Sequence, residues 1–249
     1  MRIFTVSDLH VDYKKNLDWV KNISNADFKN DLLILGGDIS HHLNKTLKTI
    51  ELLKNKFKEV TFVSGNHDVW IHQKDFKNSY LKHDELMKEV YQLEVHIKPF
   101  VFNEILIFPI FAWYDYSFGQ PSSDLQNQWM DFYRCEWYND DIQQTFKYFF
   151  DFNAAIPNVQ TSKVISFSHF VPKMEVFPIK APIIQLLAPC FGSQKIETFI
   201  RNIQSNIHIF GHSHLNRDEN IDGIRYINNA FGYPKEERIS RKRLLEIII

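Results

Sequence analysis

Five apolar runs in this sequence end abruptly in short polar clusters of aspartate, histidine, asparagine and glycine. The clusters are Ser7-Asp8-Leu9-His10, Gly36-Gly37-Asp38, Gly65-Asn66-His67-Asp68, Ser168-His169 and Gly211-His212-Ser213-His214. One such cluster is typical of a tight turn, which uses the same residue types. In a parallel α/β sheet, however, the carboxyl ends of the strands lie at one edge, where ligands bind. We therefore expect the five clusters to converge on one site, which turn formation alone does not predict.

The order of the elements around these clusters indicates an α/β fold. Apolar runs predict strands at 2–8, 31–38, 59–65, 105–111, 163–168, 207–210 and 224–227. Amphipathic spacing predicts helices at 17–23, 43–57, 142–152 and 196–204. The alternation of strand and helix in the first third of the chain predicts parallel pairing with right-handed crossovers.

The length of the chain and its aromatic distribution predict one domain with an inserted segment. A chain of 249 residues with 44% hydrophobic content can bury a large core, and we expect a single domain over residues 1–249. Residues 111–152 contain 15 of the 37 aromatic residues. Such density indicates a packed insertion or lid, and within it we expect Trp113 to Phe118 to border the functional cleft.

The charge balance and the cysteine content indicate which partners and which cellular compartment are compatible with this chain. The 29 basic and 30 acidic residues nearly cancel, so a general footprint for nucleic acid is not indicated. Cys135 and Cys190 are far apart, which argues against a disulfide framework or a thiolate zinc site. We find neither a signal-like segment nor a run of about 20 apolar residues. These features predict a cytoplasmic protein without a membrane partner, and they leave its oligomeric state open.

The residue types in the clusters indicate metal ligands. Asp8 with His10, and His212 with His214, are two residues apart, which in an extended chain places both side chains on one side. Imidazoles, carboxylates and an amide without thiolates suit Mn, Fe or Zn better than calcium. Taken singly, each residue also has a structural interpretation: Asp8 and Asp38 as helix N-caps, His169 as a core histidine, and Asp68 as a turn residue.

The ordered set of clusters resembles the five motifs of the calcineurin-like metallophosphoesterase superfamily. The matching residues are Asp8-x-His10, Gly37-Asp38, Gly65-Asn66-His67-Asp68, His169 and Gly211-His212-x-His214. The resemblance implies a four-layer αββα sandwich of mixed sheets flanked by helices. It also implies two metal ions per chain, divalent or of mixed valence: the first held by Asp8, His10, Asp38 and His214, and the second by Asp38, Asn66, His169 and His212.

The implied chemistry is hydrolysis of a small-molecule phosphomonoester or phosphodiester. Two ions about 3.5–4 Å apart activate a bridging hydroxide and clamp the phosphate oxygens. His67 is then expected to protonate the leaving group or to stabilise charge on the phosphoryl group. Asp68 is expected to orient the imidazole of His67 by accepting its other ring proton.

Several residues of this chain differ from those of individual branches of the superfamily, and these differences argue against some of the branches. The chain lacks the Asp-Arg-Gly that follows Gly-Asp in serine/threonine protein phosphatases, and His41 replaces the tyrosine ligand of purple acid phosphatases. We expect His41 to support a ligand or face the substrate. The remaining similarity is to the bacterial branch that includes class III cyclic-nucleotide phosphodiesterases. Two alternatives stay open: a non-catalytic interaction protein on the same scaffold, and a single-metal binding or sensing protein.

Overall fold

The computed structural model describes residues 1–139, 141–159, 161, 163–177 and 181–248. Its strands are β1 (Ile3–Val6), β2 (Leu32–Leu35), β3 (Glu59–Phe62), β4 (Phe100–Phe102), β5 (Ile105–Ile110), β6 (Lys163–Ser168), β7 (Ile207–Phe210), β8 (Arg217–Ile221), β9 (Ile224–Asn228) and β10 (Leu245–Glu246). Its α-helices are α1 (Lys14–Asn22), α2 (Leu43–Lys54), α3 (Ser79–Gln92), α4 (Ser123–Gln126), α5 (Asp131–Arg134), α6 (Ile142–Phe150), α7 (Pro182–Leu187) and α8 (Gln194–Asn202).

The first sheet contains the three parallel strands predicted from the start of the chain. Its order is β10-β1-β2-β3, with β1 parallel to β2 and β2 parallel to β3. The short β10 adds antiparallel to the edge at β1. Because the three parallel strands are joined through α1 and α2, their carboxyl ends meet at one edge.

The second sheet is mixed, and its side chains alternate between two cores. Its order is β4-β5-β6-β7-β9-β8, with β5, β6, β7 and β9 parallel. Ile105 and Ile107 of β5 enter the core shared with the first sheet, whereas Leu106 and Phe108 enter a second core. This alternation is the two-residue period of a strand covered on both faces.

Helices cover the outer sides of both sheets. Side chains of α1, α2 and α3 belong to the first core, and side chains of α6 and α8 belong to the second. The predicted four-layer αββα sandwich is therefore confirmed. Within the described residues, no helix is both long enough and apolar enough to cross a bilayer.

The aromatic segment at 111–152 packs largely into the second core. Trp113 is 1% exposed and stacks on Phe149 of α6, with ring centroids 4.9 Å apart. Phe146 of the same helix is also buried. The rings at these positions therefore help to form the core beneath the second sheet.

Candidate metal centre

The five polar clusters lie together at the carboxyl ends of strands from both sheets. One group contains Asp8, His10 and His214, and another contains Asp38, His169 and His212. In each group the ligand atoms lie within 4.8 Å of one another. The amide oxygen of Asn66 lies 3.1 Å from His169 Nε2, which places it beside the second group. The structure thus brings together all seven side chains that were expected to bind metal.

The backbone at this edge adopts a conformation that most residues avoid. The left-handed φ values are 54° at Asp8, 41° at His10, 56° at Asp38, 66° at His212 and 54° at His214. Each such residue costs about 1–3 kcal/mol, and it persists only where the surrounding structure holds it in place. Asp and His tolerate this region better than most residue types. The turns bring these side chains back over the ends of their strands, toward a common centre.

Gly65 leaves space for the carboxylate of Asp38. A Cβ atom at position 65 would lie only 2.1 Å from Asp38 Oδ1, so no side chain fits there. The same oxygen accepts a hydrogen bond of 2.9 Å from the backbone N–H of His67. The strand end at Gly65 therefore holds the Asp38 carboxylate by direct backbone contact.

Two histidines of the second group present unprotonated nitrogens to each other. His169 donates through Nδ1 to the carbonyl of Gly36 at 2.8 Å, and His212 donates through Nε2 to the carbonyl of Cys190 at 2.9 Å. Since the other nitrogen of each neutral ring then carries a lone pair, two lone pairs face each other across 3.2 Å. Burial lowers the pKa of both imidazoles to about 4, so they are neutral at physiological pH. A bound cation removes the repulsion between these lone pairs.

In the first group, two imidazoles also lie close together, and a carboxylate stands behind one of them. His10 Nε2 and His214 Nε2 are 3.1 Å apart. The other ring nitrogen of His214 donates to Glu236 at 2.7 Å, so its Nε2 faces the site. Burial lowers the pKa of His214, but Asp8 and Glu236 outweigh it and raise the value to about 9. Glu236 carries no motif signal in the sequence, and its part in the site is apparent only from the fold.

The buried carboxylates also indicate a cation. Asp8 is fully buried, and Asp38 is 2% exposed. In the described residues, the ion-pair partners of Asp38 are the imidazoles of His10, His67 and His169. Burial, followed by repulsion from Asp8 and Asp68, raises the pKa of Asp38 well above its ordinary value. Because a buried carboxylate is stable only when its charge is offset, these side chains fit a divalent metal centre.

His67 borders the cleft beside this centre. Its Nε2 lies 3.3 Å from the hydroxyl of Tyr233 and 3.8 Å from Asp38 Oδ2. Its ring stacks on the indole of Trp70, with centroids 3.6 Å apart. These contacts fix the imidazole at the edge of the metal-ligand groups. Tyr233 was not singled out from the sequence, because an isolated tyrosine in a loop has no recognisable spacing.

Asp68 makes different contacts from those we expected. Both of its oxygens accept backbone N–H groups, from Asp38 at 2.8 Å, Ile39 at 3.0 Å, Ser40 at 3.3 Å and Gly65 at 2.8 Å. The predicted contact with the imidazole of His67 is therefore wrong in the described structure. Burial raises the pKa of Asp68 to about 6, although these backbone donors act in the opposite direction. Its carboxylate joins the loops after β2 and β3.

A cleft of about 610 Å³ opens over the metal-ligand groups. Its apolar wall comes from α7 and neighbouring loops, and includes Ile183, Ile184, Leu187, Phe191, Leu215 and Ile239. The aromatic segment contributes residues 128–131, whereas Trp113 to Phe118 were expected to do so. That expectation is wrong because Trp113 and Tyr114 are buried in the second core. Among the described residues that line the cleft, none is lysine or arginine.

His41 lies in a separate group beside the cleft. Asp12, His41 and His42 have ligand atoms within 4.8 Å of one another. The imidazole of His41 lies 3.1 Å from Asp12 Oδ2, and Lys45 Nζ lies 3.1 Å from Asp12 Oδ1. Since Lys45 already offsets the carboxylate charge, this group needs no metal ion for its stability.

The fold and the site together are those of a metal-dependent phosphoesterase. A family model described as calcineurin-like phosphoesterase matches residues 1–216, and the chain therefore belongs to the calcineurin-like phosphoesterase family. The acyl-carrier-protein phosphodiesterase PptH of Mycobacterium tuberculosis (strain H37Rv) is 23% identical over an alignment of 271 positions, which covers 95% of this chain and 79% of that protein. This relative is an enzyme of the same reaction class.

A solved structure shows the same fold. The crystal structure of the phosphopantetheinyl hydrolase PptH from Mycobacterium tuberculosis superposes with a TM-score of 0.82 at 20% sequence identity. The match covers 99% of this chain and 95% of that chain. The two proteins therefore share their architecture over nearly their whole length.

Proposed function

We propose that this protein hydrolyses a phosphodiester with two metal ions, Mn, Fe or Zn. Asp8, His10, Asp38 and His214 would hold one ion, and Asp38, Asn66, His169 and His212 would hold the other. The observation that carries this proposal is the pair of facing imidazole lone pairs of His169 and His212, 3.2 Å apart. Two bound ions supply an activated water as nucleophile and withdraw charge from the phosphoryl oxygens.

His67 is the residue of this chain that we assign to the leaving group. It borders the cleft and its ring is held by Trp70 and Tyr233. Burial and the neighbouring imidazoles lower the pKa of His67 in the free protein. An anionic phosphoryl group acts in the opposite direction, so substrate binding favours a proton on this ring. His67 can then donate that proton to the departing oxygen.

The cleft favours a substrate whose second arm is uncharged. Its described lining has an apolar wall and no lysine or arginine, so an additional phosphate or carboxylate at that wall would lie against uncharged side chains. Its volume of about 610 Å³ leaves room for an arm beyond the phosphoryl group. The relative PptH is an acyl-carrier-protein phosphodiesterase. Beyond its phosphate, a phosphopantetheinyl arm carries only neutral groups (amides, a hydroxyl and a thiol) on apolar carbons, and this chemistry fits the wall.

A comparison of substrates tests the proposal. Purified protein loaded with Mn²⁺ is assayed on bis(nitrophenyl) phosphate, nitrophenyl phosphate and phosphopantetheinylated acyl carrier protein. Asp38→Asn, prepared in the same way, controls for contaminating activity. We expect turnover of both diesters at rates well above that of the monoester. Faster hydrolysis of the monoester would overturn the diester assignment, and equal rates for the variant and the natural chain would overturn the metal mechanism.

A further inference from the structure

Asp131, in the aromatic segment, is a buried carboxylate bonded to four side chains. Its Oδ1 accepts a hydrogen bond of 2.8 Å from Asn66 Nδ2 and one of 2.6 Å from Trp70 Nε1. Its Oδ2 accepts a bond of 2.8 Å from Trp129 Nε1, and the side chain of Tyr114 is a further partner. The residue is 3% exposed. Burial raises the pKa of Asp131, and the four donors counteract this effect by favouring the carboxylate form.

Three of these partners each contact a residue of the candidate site. Asn66 is itself a proposed ligand. Trp70 stacks on His67, with centroids 3.6 Å apart, and Trp129 meets the ring of His212 edge-on at 5.6 Å. A single carboxylate therefore connects the aromatic segment to the second group of ligands and to the proposed acid.

The bond to Asn66 determines which end of its amide faces the metal site. With Nδ2 directed at Asp131, Oδ1 points toward His169 Nε2 at 3.1 Å. A reversed amide would direct an N–H group at the site, and an N–H group cannot bind a metal ion. A carboxylate acceptor also draws the amide proton toward itself, which increases electron density on Oδ1 and strengthens it as a ligand.

We propose that Asp131 is a positioning residue for metal binding, which holds the amide of Asn66 with its oxygen toward the second ion. This inference rests on the proposed two-metal function and extends it to a residue outside the family motifs. The aromatic segment then completes the metal centre as well as bordering the cleft.

The test measures metal affinity rather than activity. Metal-free Asp131→Ala is titrated with Mn²⁺ by isothermal titration calorimetry and compared with the natural chain. We expect the dissociation constant of one ion to rise by roughly 10–100-fold, the usual cost of losing the group that orients a metal ligand. The other ion should bind with unchanged affinity. Asp131→Asn retains one acceptor oxygen, so it should raise the dissociation constant of the same ion by a smaller factor.

Asp115 provides a matched control in the same segment. It is 4% exposed, and its carboxylate is bonded to the backbone of Ser117 and lies 3.2 Å from Lys195 Nζ. Asp115→Ala should leave both metal affinities unchanged. Thermal unfolding of the metal-free variants identifies general damage, and Asp131→Asn carries the test if Asp131→Ala does not fold.

The outcomes separate this inference from the proposed function. If the natural chain binds fewer than two ions, the two-metal function fails. If it binds two ions and both Asp131 variants bind them with the same affinities, only the role of Asp131 is overturned. If Asp131→Asn lowered the affinity for both ions equally, the role of Asp131 would also be overturned, because the effect would not pass through Asn66.

Discussion

At the level of single residues, the site is defined by which atom of each side chain faces the candidate metal position. His169, His212 and His214 each use one ring nitrogen for a protein acceptor and leave the other facing the site. Such outer contacts fix the tautomer and the direction of the ligand. Residues such as Glu236 therefore orient the candidate ligands from outside the site.

Glu236 can be tested by removing its charge. Glu236→Gln weakens the hold on His214 Nδ1, and we expect the affinity for one metal ion to fall by roughly 10–100-fold. Calorimetric titration of the metal-free variant measures this change. Glu237→Gln is the control, because Glu237 lies on the surface 3.1 Å from Lys15 Nζ. Equal affinities for the two variants would show that Glu236 does not support the centre.

The proposed role of His67 as a proton donor can be tested by varying the leaving group of the substrate. His67→Ala should retain both metal ions and lose turnover by roughly 10²–10⁴-fold on an ester with an alkyl leaving group. The loss should be smaller for a nitrophenolate ester, whose leaving group needs little protonation. His41→Ala, beside the cleft but bonded to Asp12, should leave both rates unchanged. Loss of a metal ion from His67→Ala would show instead that His67 is a ligand.

That the seven proposed ligands lie together could be predicted from the sequence, but the contacts that support them could not. Asp8, His10 and His214 stand at regular short spacings after apolar runs, and this spacing is visible in one dimension. Glu236, Tyr233 and Asp131 reach the site from remote loops and have no such spacing. Asp68 was misassigned because a motif gives the neighbours of a residue in sequence, whereas its hydrogen bonds depend on how two loops meet.

At the scale of elements, Asp68 joins the ends of β2 and β3. Since its carboxylate accepts backbone donors from both loops, Asp68→Asn places an N–H₂ group against buried N–H groups. We expect a loss of about 1–3 kcal/mol in the free energy of unfolding, the usual cost of an unsatisfied buried group. Chemical denaturation of the metal-free protein measures this loss. Unchanged stability together with a leaving-group-dependent loss of turnover would favour the original assignment to His67.

Arg2 and Asp31 make a second connection, between the start of β1 and the start of β2. Asp31 accepts bonds from Arg2 at its backbone N–H and at the guanidinium, both at 2.6 Å. Burial raises the pKa of Asp31, but these bonds outweigh it, and the pKa lies below the ordinary value. A lowered pKa in the folded state contributes stability above the unfolded value of about 3.9, and this contribution is lost as the pH falls below it.

Asp31→Asn should therefore lower the melting temperature at pH 7, and the difference in melting temperature from the natural chain should shrink as the pH falls below about 3.9 and through the lowered pKa of Asp31. Thermal unfolding of the metal-free proteins over this range measures the effect. Asp27→Asn is the control, because Arg2 contacts Asp27 through its backbone carbonyl. If the difference in melting temperature stayed constant with pH, the charge of Asp31 would not contribute to stability.

The elements predicted from the sequence were those with a clear apolar pattern. Strands β1, β2 and β3 were predicted because each lies in a short, mostly apolar run, and helix α2 was predicted because its apolar residues recur at helical spacing. Helix α3 was missed because its buried residues include Ser79, Lys82 and His83, which do not form an apolar stripe. The edge strand β8 was missed because its sequence, RDENI, is polar and largely exposed. Its pairing with β9 holds it in the sheet.

At the scale of the whole molecule, two sheets bring remote parts of the chain to one edge. Asp8 and His214 are separated by more than 200 residues, yet His214 Nε2 lies 3.3 Å from Asp8 Oδ1. The single domain over 1–249 and the cytoplasmic location remain predictions, as do the native metals. Cys135 and Cys190 are both free cysteines.

If Asp38 is shared by two metal ions, its substitution must affect both of them, and counting the ions per chain tests this sharing. The natural chain and Asp38→Asn are purified identically, loaded with Mn²⁺ and analysed by mass spectrometry for metal content, with turnover of bis(nitrophenyl) phosphate measured on the same samples. We expect two ions per natural chain, and reduced occupancy at both sites together with lost turnover in the variant. Two ions per chain and normal turnover in Asp38→Asn would show that Asp38 does not bridge two metal ions.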